Sequence, residues 1–366
     1  MYTKIEIFKT DFTDKYLLKL EDKTMYVGYI IKEIVELLQD NKPKNEIINT
    51  INTKHQINLS ITELNIIIGE KIESIFTTKK SNSLIKLFKI VDPSKFNFPK
   101  FINQLFIERF FYIIFILTLI ANTFSFFFVK NLISNNVFDW IVLYILILCI
   151  LLIHEFGHSI SAKKFNVNIK ELGFGIYSIF PVFYVDLGEA WKLNIKKRTI
   201  INLSGIYTQL IIGIILIVLS LIFKSNFIIL GLYHANFTII ILNFNPFFKF
   251  DGYWVVSDLL NENNLMKKST TILKKIIVLK NPKESKILVI YSILRLCFTI
   301  WLATLIVKGL YGSITKIFLN QNVKWYDYLP IVFVTYIIYK TLKPVIKNDE
   351  LERNKKRLQE KIVKCN

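Results

Sequence analysis

Long apolar runs, more than anything else in this sequence, limit what the chain can fold into. Residues 107–129, IERFFYIIFILTLIANTFSFFFV, and residues 137–156, VFDWIVLYILILCILLIHEF, are each of a length that crosses a bilayer, for which about 20 apolar residues suffice. Similar runs recur, and the pattern reads as about six spans: Phe110 to Val129, Phe138 to Ile153, Ile206 to Phe223, Phe227 to Phe244, Ile287 to Val307 and a shorter one from Tyr328 to Tyr339. The predicted fold class is therefore mainly α, a polytopic membrane helical bundle carrying a small N-terminal winged-helix-like domain. The expected division is residues 1–76, a small winged-helix-like domain; 77–106, a basic interfacial linker; 107–342, a membrane-embedded domain; and 343–366, a basic tail.

The net charge of +19 invites a nucleic-acid reading, but the distribution of that charge gives a better account. With the N-terminus in the cytosol, the loop after the second span carries Lys163, Lys164, Lys170, Lys192, Lys196, Lys197 and Arg198, and the next inner loop carries seven more lysines between Lys267 and Lys286. The outer segments hold only Lys130, Lys224, Lys308, Lys316 and Lys324, which is the positive-inside pattern. The expectation is an integral protein of a bacterial cytoplasmic membrane with both termini cytosolic. The opening MYTKIEIFKT has no apolar core of signal-peptide type, and the tail from Lys343 is placed to lie against anionic lipid. Membrane lipid is thus an expected partner and nucleic acid is not. Cys149, Cys297 and Cys365 have no metal-like or paired spacing, so they read as two buried small hydrophobes and a tail thiol.

The first 76 residues are of a different kind. Strand-like KIEIF and YLLKL precede three helical stretches: about Val27 to Gln39, a second after Pro43 with Ile47, Ile48 and Ile51 at helical spacing, and a third that starts at Ser60. Ser60 and Glu63 form an S-x-x-E capping box, followed by Ile61, Leu64, Ile67, Ile68, Ile72 and Ile75 on one face. A β-hairpin followed by three helices is a small winged-helix arrangement, which can bind DNA, a protein or a peptide. Twelve acidic residues from Glu6 to Glu73 offset its lysines, whereas a DNA reader needs a concentrated positive face.

Chemistry enters at LLIHEFGHSI, residues 151–160. Positions four apart on a helix share a face, so His154 and His158 can close on one metal ion, as H-E-x-x-H sites do, and Zn2+ suits the imidazole pair best. Glu155 is placed as general base toward a water that the metal activates. In a chain with four histidines this pattern arises by chance on the order of a few times in a thousand such sequences. Ionisable groups at membrane depth are also costly unless paired or ligating. A catalytic zinc needs a third protein ligand; His55 and His234 are possible, and Asp251, in NFNPFFKFDGYW at the end of the fourth span, is the stronger candidate.

HEFGH followed by Asn243-x-x-Pro246 and Asp251-Gly252 resembles the site-2 protease family of intramembrane zinc metalloproteases. The resemblance covers roughly residues 107 to 260. It implies His154, His158 and Asp251 as zinc ligands and Glu155 as the base. Where many members have Gly-Pro and a following Asn, this chain has Gly205, Ile206 and Gln209, a departure read as bearing on span packing and not on the ligands. Through GFGIYSIFPVFYVDLGEAW and NPFFKFDGYW the chain is more similar to the peptide zinc metalloproteases found beside small-peptide biosynthesis genes, and residues 1–76 resemble the RiPP recognition element, which binds leader peptides. The implied function is a cytosol-facing zinc endopeptidase acting on a small leader-bearing or membrane-associated peptide, in peptide maturation or export. The alternatives are an intramembrane protease of a membrane-anchored regulator or signal-peptide remnant, and a non-proteolytic zinc-containing scaffold or export partner.

Four further residues and one segment carry expectations. Asn243 and Asn245 can contact substrate or an oxyanion, or merely cap the break at Pro246. His234 and Arg295 lie within spans, His234 as a group behind the metal ligands or on the substrate side or as a bond to a neighbouring helix, Arg295 as a structural partner of a carboxylate. Gly173 to Val185 reads as a strand-like re-entrant hairpin whose edge can pair with an extended substrate.

Overall fold

Three short strands open the chain in this computed structural model, which describes residues 2–12, 14–20, 23–73, 84–96, 99, 104–130, 132–169, 171–177, 180–262, 264–278, 284–319, 323, 328, 330–332 and 334–336. Strands β1 (Glu6–Lys9), β2 (Lys15–Leu20) and β3 (Lys23–Gly28) form an antiparallel sheet in that order, with Leu18 opposite both Ile7 and Met25. The expected hairpin is thus a three-stranded meander. Val27 and Gly28 were read as the start of the first helix, yet they belong to KTMYVG, whose residues pair one for one along β2. Helix α1 (Tyr29–Gln39) accordingly starts two residues later than expected; α2 (Lys44–His55) follows Pro43, and α3 (Ile61–Ile66) continues as a π-helical turn over Ile67–Ile72. Both halves of the capping box form, the Ser60 hydroxyl accepting from the Glu63 amide and the Ser60 amide donating to Glu63 Oε2 at 2.9 Å. Leu18, Val27, Ile34, Ile47, Ile51, Leu64 and Ile72 fill the core of this domain.

The membrane part of the same compact unit, Met1–Leu265, contains α4 (Glu108–Phe126), α5 (Val137–Lys164), α6 (Ile195–Ile222), α7 (Phe227–Asn243) and the short α8 (Asp251–Leu259). Helix α6 is central: α4, α5, α7 and α8 all pack on it. Phe111, Phe115, Ile160, Ile206, Tyr207, Leu210, Phe237 and Ile240 are buried together between them. The opposite faces present Ile116, Leu117, Phe124, Ile145, Ile215 and Val218 to the outside, the signature of helices solvated by lipid. Small residues set the closest approaches. A Cβ on Gly157 would lie 2.6 Å from the Ser204 carbonyl, and one on Gly213 would lie 1.9 Å from Asn122 Oδ1. Asn122 itself is buried and donates to the Thr118 and Leu210 carbonyls, tying α4 to α6.

Among the described residues, four helices are long and apolar enough to cross a membrane, α4, α5, α6 and the 33-residue α10 (Lys286–Phe318), with α7 apolar but shorter at 17 residues. Seven of the twelve residues of the sixth expected span, Tyr328 to Tyr339, are described, and the tail and Cys365 lie outside the described residues. The second unit, Met266–Asn366, contains α10 and nearly all of α9 (Leu265–Ile277). There Arg295 donates to the Met266 carbonyl at 2.9 Å and to Thr270 Oγ1 at 3.1 Å, so its partners are a carbonyl and a hydroxyl where a carboxylate was expected. Cys149 and Cys297 are exposed on apolar helices; expected in the core, they instead sit on outward faces, where a small thiol is equally at home against hydrocarbon.

The region read as a linker contributes structure. Residues Leu84–Val91 form β4, which joins β5 (Leu172–Tyr177) and β6 (Phe180–Val185) in an antiparallel sheet of order β4-β5-β6. The expected hairpin is present, one of its edges is taken by β4, and β6 and β4 are the outer strands of the sheet. Lysines interleaved with apolar residues in LIKLFKIV mark this as a strand: Lys86 reaches Glu171 at 3.0 Å while Ile85, Leu87 and Phe88 remain exposed.

The N-terminal domain is seated on the segment between β6 and α6. The Asp11 amide donates to the Lys192 carbonyl at 2.7 Å, Asp11 Oδ2 accepts from the Asn194 amide and pairs with Lys197 Nζ, and Lys19 pairs with Asp186 at 3.0 Å. Tyr26 of β3 donates to the Trp191 carbonyl at 2.5 Å and accepts from Arg198 at 2.8 Å.

The α4–α6 contact yields a test of this packing. Gly213→Ala forces Asn122 aside and is expected to cost about 1–3 kcal/mol, read as a lowered unfolding midpoint in detergent. Combining it with Asn122→Ala should recover part of that loss, whereas strictly additive losses would show that the two side chains do not meet.

Candidate metal centre

Helix α5 presents His154 and His158 on the face it packs against α6, where both are buried, at 5% and 3% exposure. Asp251 is the first residue of α8, set there by the turn that Pro246 opens after α7, and a carboxylate in a first helical turn is favoured by the unpaired amides. Its neighbour Gly252 explains the D-G pair: a Cβ there would fall 2.2 Å from the Phe244 carbonyl oxygen, so only glycine lets α8 start this close to the end of α7.

Three side chains that are far apart in the sequence converge. His154 Nε2 and His158 Nε2 are 3.2 Å apart, Asp251 Oδ2 is 3.1 Å from the first and Oδ1 is 3.4 Å from the second. All three potential ligand atoms lie within 4.8 Å of one another, the one such cluster of three among the described residues. A tetrahedral zinc ion with bonds of about 2.0–2.1 Å requires ligand atoms about 3.3 Å apart, which is the observed spacing.

The orientation of the imidazoles is decided by their other nitrogens. His158 Nδ1 donates to the Ile201 carbonyl at 2.7 Å and His154 Nδ1 to Gln209 Oε1 at 2.8 Å, so each Nε2 is left bare and faces the cluster. Gln209 is held in turn by Asn236, through its carbonyl at 3.0 Å and its amide nitrogen at 3.3 Å, and Asn243 Nδ2 reaches Gln209 Oε1 at 3.4 Å. Asp251 Oδ2 is buried without a hydrogen-bond partner, an arrangement that suits an atom reserved for a cation. Glu155 follows on the same helix, half-buried, and its carboxylate makes no hydrogen bond or ion pair with a described residue.

Other expectations resolve one by one. His234 Nε2 bonds to the Val129 carbonyl at 3.0 Å and its ring sits against Phe126, so it serves helix packing. His55 pairs with Glu33 inside the N-terminal domain. Asn245 Oδ1 accepts from the Phe247 amide at 2.8 Å and caps the Pro246 turn, while Asn243 joins the network behind His154. Two residues of NLSGIYTQL matter more than their sequence reading held. Gln209, treated there as a departure without consequence for the ligands, bonds directly to His154. Gly205 is the floor of the site, since a Cβ on it would lie 2.4 Å from His154 Nε2 and 2.5 Å from His158 Nε2. The available signal was a polar residue one turn beyond a glycine in an otherwise apolar span.

Both positions offer a test that removes no ligand. Gln209→Ala is expected to weaken zinc affinity about 10- to 100-fold, the usual consequence of deleting a group that orients a metal-binding histidine. Gly205→Ala places a methyl between the imidazoles and should abolish binding. Zinc per chain after dialysis against graded chelator measures both, and unchanged affinity in Gly205→Ala would exclude metal from this face.

Comparison with known proteins follows the same residues. The model of Peptidase family M50 matches residues 142–229, a stretch that includes His154, Glu155, His158, Gly205 and Gln209 and ends before Asp251. The chain is 29% identical over 119 residues to the "Putative peptide zinc metalloprotease protein YydH" of Bacillus subtilis (strain 168), covering 32% of this chain and 47% of that protein. It is 31% identical over 147 residues to the "Zinc metalloprotease MJ0392" of Methanocaldococcus jannaschii, covering 38% of this chain and 40% of that protein. The chain thus spans less than half the length of the curated relatives it matches, and no solved structure matches it significantly. What the comparisons establish is a Peptidase family M50 match across the paired histidines, with Zn2+ as the implied cofactor.

Proposed function

We propose that the chain is a membrane-embedded zinc endopeptidase of the site-2 protease type, with His154, His158 and Asp251 as its metal ligands and Glu155 as its general base. The convergence of two bare imidazole nitrogens and an unbonded carboxylate oxygen, beside a free glutamate, carries this reading. When bound, zinc supplies Lewis acidity toward a peptide carbonyl and toward water. The Glu155 carboxylate accepts the proton of the attacking water and returns it to the departing amine nitrogen. Gln209 and the Ile201 carbonyl keep the imidazole protons on Nδ1 throughout. Both asparagines keep an N–H that can serve an oxyanion: Asn245 uses only Oδ1 in its turn, and Asn243 Nδ2 spends one N–H on Gln209 Oε1 at 3.4 Å.

The substrate in this reading is a small leader-bearing or membrane-associated peptide, cut at the cytosolic side. Its support is the seating of the N-terminal domain on Asp186 to Arg198, a segment that the lysine distribution assigns to the cytosol, and the outer position of β3, to which an extended leader can add as a fourth strand beside the helix starting at Ser60. Tethering of this kind raises the local concentration of substrate and acts on apparent affinity. An extended segment can likewise add to β6, an outer strand of the second sheet.

Mass spectrometry of small peptides from cells carrying wild type or Glu155→Gln tests the activity. A product made only by the wild type, with zinc retained in Glu155→Gln and lost in Asp251→Ala, is the expected result; a full set of products in Glu155→Gln would refute it. For the leader reading, removal of residues 1–76 should raise the Michaelis constant for a leader-bearing peptide and leave slow cleavage of the leaderless one intact. Equal constants for the two forms would remove recognition from this domain.

A further inference from the structure

The metal centre leaves two adjoining cavities unexplained. One, of about 250 Å3, is lined by Asp186, Trp191, Arg198, Asn202, Trp254 and Asp258 among others. The second, of about 500 Å3, has Leu17, Met25 and Tyr26 of the N-terminal sheet on one side. Trp191 and Trp254 line both, their rings 6.3 Å apart at 80°, so the indoles stand where the two spaces meet. The smaller cavity is walled by the helices that build the metal centre. Asn202 precedes Gly205 by one turn of α6, and Asp258 lies seven residues beyond Asp251 on α8, about 10 Å along its axis.

Its polar side is a buried ion pair with one donor unused. Arg198, 4% exposed, pairs with Asp258 at 3.0 Å, donates to the Tyr26 hydroxyl at 2.8 Å and stacks 4.7 Å above the Trp191 ring. Asp258 accepts a second bond from Asn202 at 2.9 Å. Arg198 Nε has no hydrogen-bond partner, although a buried guanidinium N–H left unmade is costly. Since Asp258 already balances the arginine and Lys19 balances Asp186 at the wall, the cavity has no net charge to offset, and the missing acceptor is a neutral oxygen and not an anion. The remaining walls are apolar, the two indoles with Val185, Leu187 and Ala190, and the volume exceeds the void of about 150 Å3 that takes up a benzene molecule.

We propose that this cavity is a substrate subsite that takes one large apolar or aromatic side chain of an extended peptide between Trp191 and Trp254, with a neighbouring main-chain carbonyl accepting from Arg198 Nε. The inference rests on the endopeptidase reading and adds the chemistry of one specificity position. It also places that position between the metal and the N-terminal sheet, so a peptide held by the sheet passes the two indoles before reaching Glu155.

The test uses the full chain with Glu155→Gln, zinc-loaded in detergent, and fluorescein-labelled octapeptides of alanine and serine in which one phenylalanine is walked through the positions. At one position phenylalanine should bind at least tenfold more tightly than the alanine and serine parent. Trp254→Ala should collapse that ratio below twofold, Trp254→Phe should keep most of it, and Arg198→Lys should weaken every peptide by a similar factor without changing the ratio. Zinc content equal to that of the parent shows each variant folded. No phenylalanine preference at any position, or a preference unchanged in Trp254→Ala, overturns the subsite. Cleavage of the same peptides by wild type is scored separately. Peptides that bind with the preference and are never cut sink the protease reading alone, and peptides cut without any preference sink the subsite alone.

Discussion

Two imidazoles and a carboxylate cannot stay unpartnered in a packed helical bundle, and the rest of the structure is arranged around that constraint. Removing such groups from water costs several kcal/mol per charge unless a partner replaces the solvent, and a cation held as proposed would satisfy all three at once. Each surrounding feature serves that convergence. Gly205 clears room for the two Nε2 atoms, the Ile201 carbonyl and Gln209 take the Nδ1 protons, and Gly252 lets α8 begin where Asp251 must stand. Helix α6 is packed by four neighbours because it supplies both the floor of the site and its hydrogen-bond acceptors.

Much of this was legible in the sequence, and the reasons differ by element. The spans and the H-E-x-x-H pair depend on local composition and on helical periodicity, which a sequence displays directly. Asp251 was legible because an acid at the end of an apolar run has few other uses. The role of Gln209 was not, since the fact that matters is its contact with His154, 55 residues away, and nothing local to NLSGIYTQL announces it. Strands β3 and β4 were missed for a related reason: KTMYVG and LIKLFKIV are short, lysine-bearing segments whose pairing partners decide their conformation. His234 and Asn245 show the converse, polar residues in apolar surroundings whose partners are backbone groups close by.

The seating of the N-terminal domain connects its sheet to the metal-centre helices through few residues. Tyr26 of β3 touches Trp191 and Arg198, Arg198 holds Asp258, and Asp258 shares a helix with Asp251. In the proposed reading, a peptide bound at the sheet and a bond cut at the metal would be linked by one short path within a single compact unit.

The central claim is that His154, His158 and Asp251 hold zinc in one site. Zinc K-edge X-ray absorption of the purified full chain measures this directly. The account predicts a first shell of nitrogen and oxygen at about 2.0–2.1 Å with the multiple-scattering pattern of two imidazoles, reduced to one imidazole or to no bound zinc in His158→Ala. Sulfur scatterers at about 2.3 Å, or a two-imidazole spectrum unchanged in His158→Ala, would contradict it.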